Sequence, residues 1–340
     1  MALKAFAMWS VFPIIRETLH GVCASSPWEA RLGREEFGRE VHSFAAAYKE
    51  RDLVELLQIS NHLVFNSFNQ LERFRPLWEK EQGRVSIGLR VNPEHSEGQT
   101  EIYDPCAPKS RLGITRHDFD GRSLAGVEGL HFHTLCEQLF EPLERTAATF
   151  EDKFGEFLPR MKWLNLGGGH HITRDGYDID ALVELVKHFR GKYGLEVYLE
   201  PGEAIAIGTG ILVGEVLDVV HNEIDIAILD VSATCHMPDI LEMPYRPEIW
   251  NGYAAGEKPY TCRLAGPSCL AGDVIGDWSF EKPLKQGDRL AFEDMAHYTM
   301  VKTTTFNGIQ HPVICTFEPK SGELKVVRSF RYEDFKIRLS

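Results

Sequence analysis

Four short motifs join a reactive side chain to an apolar run: ALKAF with Lys4, GLHFH with His131 and His133, LNLGGGHH with Gly167, Gly168, Gly169, His170 and His171, and YLEPGE with Glu200, Gly202 and Glu203. A lysine ending an apolar run loses hydration, which lowers its pKa toward the neutral amine that a Schiff base requires; it could equally snorkel out of a rim. Three successive glycines leave bare N–H groups able to close on a phosphate, although a tight turn explains them as well. Glu200 could hydrogen-bond a pyridine nitrogen and keep it protonated, or pair with Arg90 at another run's end, and the two can coexist.

His131 and His133 share a face in strand alternation and, with His170 and His171, could gather a metal. No carboxylate stands beside them in the sequence, so no metal is expected. Farther on, GPSCLAGD (266–273) and EDMAHYTMVKTTTFNG (293–308) put Cys269, Asp273 and Tyr298 in or near turns. A free cysteine is commonly buried filler; its company singles this one out.

Positioning these groups needs a scaffold that gathers strand ends. Eight apolar runs alternate with amphipathic stretches over the first two hundred residues: ALKAF, GVCASS, VHSFAA, HLVFNS, VSIGLRVN, GVEGLHFHTL, WLNLGGG and LEVYLEPGE. The stretches between them, such as YKERDLVELLQ and DIDALVELVKHFRGKYG, repeat apolar residues at helical spacing. The pattern predicts an α/β fold, a (β/α)8 TIM-type barrel over residues 1–210, whose catalytic groups come from the C-terminal strand ends. Beyond it, strand-like runs separated by turns predict a C-terminal antiparallel β domain over 211–340.

Composition narrows the function classes. The chain has 340 residues, 43% of them hydrophobic, enough for a substantial core, and a formal charge of -13 that argues against a nucleic-acid surface. Seven cysteines, an odd number without a CxxC pair, predict a reducing cytoplasm. No run approaches the ~18 apolar residues of a membrane span, and the start has no signal-peptide pattern. MALKAF reads as the inside of a strand, so a segment upstream is expected.

The order of the lysine, HFH, LGGG, EPG, GPSC and YTM…TTFNG resembles the ornithine and diaminopimelate decarboxylase family, of alanine-racemase-like fold type III. ALKAFAMWSVFP, ASSPWEARLG, FNSFNQLERF, LRVNPEHS, LNLGGGHHIT, EPGEA and MAHYTMVKTTTFNG extend the likeness over nearly the whole chain to the branch acting on carboxynorspermidine and carboxyspermidine. The resemblance implies pyridoxal 5′-phosphate as cofactor, with Lys4 forming the Schiff base, His133 against one ring face and Glu200 at the pyridine nitrogen. Gly167, Gly168, Gly169 and Gly202 would hold the phosphate with the Tyr298 hydroxyl, and Arg90 would lie beside the cofactor. Cys269 would reach the neighbouring subunit's site and help protonate the carbanion, implying a homodimer with shared active sites.

Where many relatives read EPGR, this chain reads EPGE. Glu203 then becomes a candidate partner for a substrate amine, or else an exposed carboxylate at a helix start. Asp239, in CHMPDILEMPYRP, and Asp273 are further candidate substrate contacts. Two other readings stay open: a sibling enzyme acting on diaminopimelate, ornithine or lysine, and an inactive relative that binds cofactor or polyamine.

Overall fold

The computed structural model describes residues 1–98 and 100–340, which form two compact units, Met1–Ile205 and Ala206–Ser340. In the first unit, seven strands lie side by side in chain order: β1 (Gly21–Ala24), β2 (Glu40–Phe44), β3 (His62–Phe65), β4 (Ser86–Arg90), β5 (Gly129–His131), β6 (Trp163–Asn165) and β7 (Glu196–Tyr198). Every pairing is parallel. β3 to β6 are almost wholly buried, as expected of strands covered on both faces.

The helices between them bury one stripe each. In helix Phe140–Phe154 the buried side chains include Phe140, Leu143, Ala147, Phe150 and Phe154, at spacings of three and four. Helix Ile179–Tyr193 starts where the Asp178 carboxylate accepts the Ala181 N–H (2.9 Å) and stops at Gly194, whose φ of 70° suits a residue without Cβ.

The first predicted strand is not one. Residues 1–3 alone are strand-like: Leu3 N–H donates to Cys23 O (3.0 Å), and Cys23 N–H to Met1 O (2.8 Å). On the other side Ala2 N–H donates to Pro201 O, just past β7, at 2.8 Å. This short segment therefore fills the gap between the first and last strands. The chain then turns back on itself, with Phe6 N–H bonding Ala2 O (3.3 Å), so Lys4 rides on a turn rather than a strand end.

Inside the ring, Trp163 packs where any side chain on Gly88 or Gly129 would clash, its atoms 2.3 Å and 2.0 Å from their would-be Cβ positions. Its indole stacks on His62 (4.7 Å), which stacks on His42 (4.0 Å), with Tyr198 edge-on to both histidines. Side chains from β2, β3, β6 and β7 thus fill one level of the interior. Asn165, two residues along β6, faces the same side one level closer to the C-terminal strand ends.

The second unit corrects the antiparallel expectation. Its six-stranded sheet runs β10 (Tyr253–Ala254), β12 (Val274–Phe280), β11 (Tyr260–Ala265), β9 (Ile224–Leu229), β8 (Leu212–Asn222), β13 (Arg289–Phe292), and β9 pairs with β11 in parallel. The sheet is mixed because residues 230–259 cross over through short helices Ala233–His236 and Asp239–Glu242, returning the chain to the same end. Val216, Leu229, Leu264, Trp278 and Phe292 make its core. A hairpin of β14 (Ile314–Glu318) and β15 (Glu323–Arg328) completes the unit.

Candidate active site

Glu200 sits two residues beyond β7, and its surroundings come from the ends of neighbouring strands. Asn165, closing β6, donates Nδ2–H to Glu200 Oε1 at 2.8 Å. His131, closing β5, brings Nε2 to 3.6 Å from Oε1, and His133 brings Nδ1 to 3.7 Å from Oε2. Burial, the largest single influence, opposes the charge on Glu200, but the His131 and His133 imidazoles together outweigh it and hold the carboxyl well below its usual range. Burial likewise keeps the Cys23 thiol, which hydrogen-bonds Glu200, protonated. Glu200 is the carboxylate missing from the sequence neighbourhood of the two histidines, and the three donor atoms lie within 4.8 Å of one another.

Lys4 Nζ lies 3.5 Å from His133 Nε2. Its ammonium opens toward solvent, yet protein surrounds enough of it that lost hydration lowers its pKa; Glu200 opposes this shift and Arg90 reinforces it. His133 is driven to about 3 by burial and then by the charge of Lys4, so its ring is neutral. Arg90 stacks over Phe44 (4.6 Å) and, among the described residues, donates to His133 O (2.9 Å) rather than pairing directly with Glu200.

The triple glycine is dictated by close backbone approach. A Cβ at Gly167 would sit 2.5 Å from Phe132 O, at Gly168 2.1 Å from Glu200 O and at Gly169 1.8 Å from Leu135 O. Two of the three amides are not bare: Gly167 N–H donates to Asn165 Oδ1 (2.8 Å) and Gly168 N–H to His133 Nδ1 (3.0 Å). An anion at this turn would have to share or displace those bonds. At Gly202 a Cβ would meet Ala5 at 2.7 Å, so the EPG turn can lie against the segment carrying Lys4 only without a side chain there.

His170 and His171 turn to other partners, His170 Nδ1 to the Tyr177 hydroxyl (2.6 Å) and His171 Nε2 to Glu203 Oε2 (3.1 Å). Glu203 is therefore already engaged rather than free, although both groups stay in the first unit beside the glycine turn.

The remaining expected residues lie in the second unit. Asp273 is buried and structural: it accepts Ser232 Oγ (2.9 Å), Thr234 N–H (3.2 Å) and Ser268 N–H (3.1 Å), which corrects its reading as a substrate contact. Those bonds shape the turn that exposes Cys269, whose own N–H donates to Asn307 Oδ1 (2.7 Å). Asp239, the further candidate for a substrate amine, already holds an ammonium, that of Lys302, which also binds Glu242. Tyr298 precedes helix Thr299–Lys302 with φ 45°, a strained conformation for a residue with a side chain.

Asn165 and Cys23 are the site residues that sequence reasoning passed over. For Asn165 the available signal was a polar residue closing the apolar run WLN; Cys23, inside β1, carried none.

A lysine whose pKa burial lowers, a buried carboxylate held ionised and a close-packed glycine turn fit a pyridine ring with an aldehyde and a phosphate. The comparisons agree. The model of pyridoxal-dependent decarboxylase, C-terminal sheet domain, matches residues 100–296. A carboxyaminopropylagmatine decarboxylase of Synechocystis sp. is 47% identical over all of this chain and 87% of its own. A carboxynorspermidine/carboxyspermidine decarboxylase of Campylobacter jejuni is 44% identical over 99% of this chain and 90% of its own. The crystal structure of carboxynorspermidine decarboxylase complexed with norspermidine from C. jejuni superposes with a TM-score of 0.91 at 43% identity, covering 99% of this chain and 91% of that one. With site chemistry and likeness pointing the same way, the chain belongs to the pyridoxal-dependent decarboxylase family.

Proposed function

We propose that this chain decarboxylates carboxynorspermidine and carboxyspermidine, with pyridoxal 5′-phosphate attached at Lys4. The observation that carries the substrate class is the 43% identity, over 99% of the chain, to a decarboxylase solved with norspermidine. When bound, the cofactor supplies an electron sink for the pair released as carbon dioxide leaves.

The chain's own groups do the rest. Lys4 presents an amine whose proton is already loosely held. Glu200, kept anionic, would stabilise a proton at the ring nitrogen, and His133 would lie against the ring face. The glycine turn and Gly202 would cradle the phosphate. Glu203 offers its carboxylate to a substrate ammonium. Cys269, exposed at its turn, donates a proton in a homodimer with shared sites; particle mass in solution tests that assembly. The odd count of seven cysteines suits the reducing cytoplasm.

A second reading follows from the Synechocystis relative: a carboxyaminopropylagmatine substrate, whose tail ends in a guanidinium. A guanidinium seeks two carboxylate oxygens at once. His171 already holds Oε2 of Glu203, so a two-point guanidinium would have to displace that imidazole. Product analysis on carboxynorspermidine, carboxyspermidine, carboxyaminopropylagmatine and diaminopimelate decides. Fastest turnover of the first two supports the proposal; turnover of either of the others alone overturns it.

A further inference from the structure

Asn165 joins the two ends of the site. Its Nδ2–H donates to Glu200 Oε1 (2.8 Å), while its Oδ1 accepts the Gly167 N–H (2.8 Å). Glu200 closes the loop by donating its backbone N–H to Gly167 O (2.7 Å). Three residues therefore hold one another in a hydrogen-bonded ring, with Asn165 buried at 2% exposure.

The amide cannot be reversed. A carboxylate only accepts and a backbone N–H only donates, so NH2 must face Glu200 and the oxygen must face Gly167. Gly167 opens the glycine turn, and Glu200 is the anionic end of the site. We infer that Asn165 is a positioning residue that couples the glycine turn to the Glu200 carboxylate, so that a ligand's grip at one end depends on the other. The inference deepens the proposed function and rests on it for the identity of the ligand, but the coupling itself is a property of the cofactor-free protein.

The polarity of the ring supplies a test. Asn165→Asp keeps an acceptor for Gly167 but sets a second carboxylate against Glu200. Adding Glu200→Gln on that background restores a donor–acceptor pair with its direction reversed, because the amide then donates from the β7 side and the carboxylate accepts on β6. In melting experiments on cofactor-free protein, Asn165→Asp is expected to lower Tm by roughly 3–6 °C, and the double variant to recover most of that loss. Losses that simply add would overturn the inference, because a side chain that only fills space cannot be rescued by swapping polarity.

Ligand affinity gives an independent readout. Titrated with pyridoxal 5′-phosphate and with pyridoxal, the wild type and Asn165→Ala are compared for the ratio of the two dissociation constants. Coupling predicts that Glu200→Gln weakens pyridoxal 5′-phosphate about fivefold more than pyridoxal in the wild type, and that this gap closes in Asn165→Ala. An unchanged gap would sink the coupling. A wild type that forms no visible absorption band would instead sink the decarboxylase reading, while the melting result still decides the role of Asn165.

Discussion

The backbone N–H of Gly168 donates to Nδ1 of His133 at 3.0 Å, and this bond decides which proton His133 can offer. With Nδ1 accepting and the ring neutral, the remaining proton must sit on Nε2, 3.5 Å from Lys4 Nζ. An N–H pointing at an amine favours the lone pair over the ammonium. The glycine turn thus acts, through one imidazole, on the protonation of the lysine.

His133→Phe keeps a flat ring and removes that N–H. The midpoint of the pH profile for Lys4 modification, followed as borohydride-trapped pyridoxal 5′-phosphate on the Lys4 peptide, is expected to rise by about one unit, the worth of one hydrogen bond. An unmoved midpoint would show that burial alone sets the lysine's proton affinity. Lys4→Ala should abolish both the trapped peptide and the visible band.

Replacing Glu200 by Gln removes the charge while keeping the shape. Decarboxylation is expected to fall by roughly 10²-fold or more, with cofactor still bound, because the ring nitrogen loses the partner that stabilises its proton. Steady-state rates alongside the absorption spectrum separate this from loss of cofactor.

Two glycine substitutions should behave oppositely. Gly169→Ala places a methyl 1.8 Å from Leu135 O at φ +82° and should destabilise the protein by about 3 kcal/mol or more. Gly191, inside helix Ile179–Tyr193, has nothing within 4 Å of its would-be Cβ, so Gly191→Ala should stabilise by about 0.5–1 kcal/mol. Denaturant midpoints for the pair check both signs.

Acid should undo the barrel interior. Burial drives His62 down to about 3 from an ordinary 6.5, with His42 beside it pushing the same way. Its folded pKa is depressed, so the unfolded chain takes up the proton first. The stability it contributes is full above 6.5 and is lost as pH falls toward 3. His62→Phe keeps the stacking, removes an Nδ1 that has no hydrogen-bond partner among the described residues, and should flatten the fall of Tm between pH 6.5 and about 3. A slope identical to the wild type's would place the acid sensitivity elsewhere.

The seven parallel strands were legible because each apolar run was bounded by polar or glycine-rich punctuation, and the gathering of Lys4, His131, His133 and Glu200 followed from their places at run ends. The eighth member was not: ALKAF has a strand's composition, but its backbone turns after Leu3, a choice made by tertiary bonds to Cys23 and Pro201. The parallel pairing of β9 with β11 was hidden because thirty intervening residues read as loop. Hydrogen-bond allegiance was also hidden. That Gly167, Gly168, Asp239, Asp273 and Glu203 are already engaged depends on which strands and turns lie adjacent, information that residue type does not carry. Asn165 went unnoticed for the same reason, since its importance lies in a partner thirty-five positions away.

Trp163 has a consequence for traffic. With its indole, the imidazoles of His42 and His62 and the phenol of Tyr198 filling the level beneath Asn165, the ring is a blind-ended cup rather than a tube. Whatever reacts at Lys4 cannot arrive through that filled level.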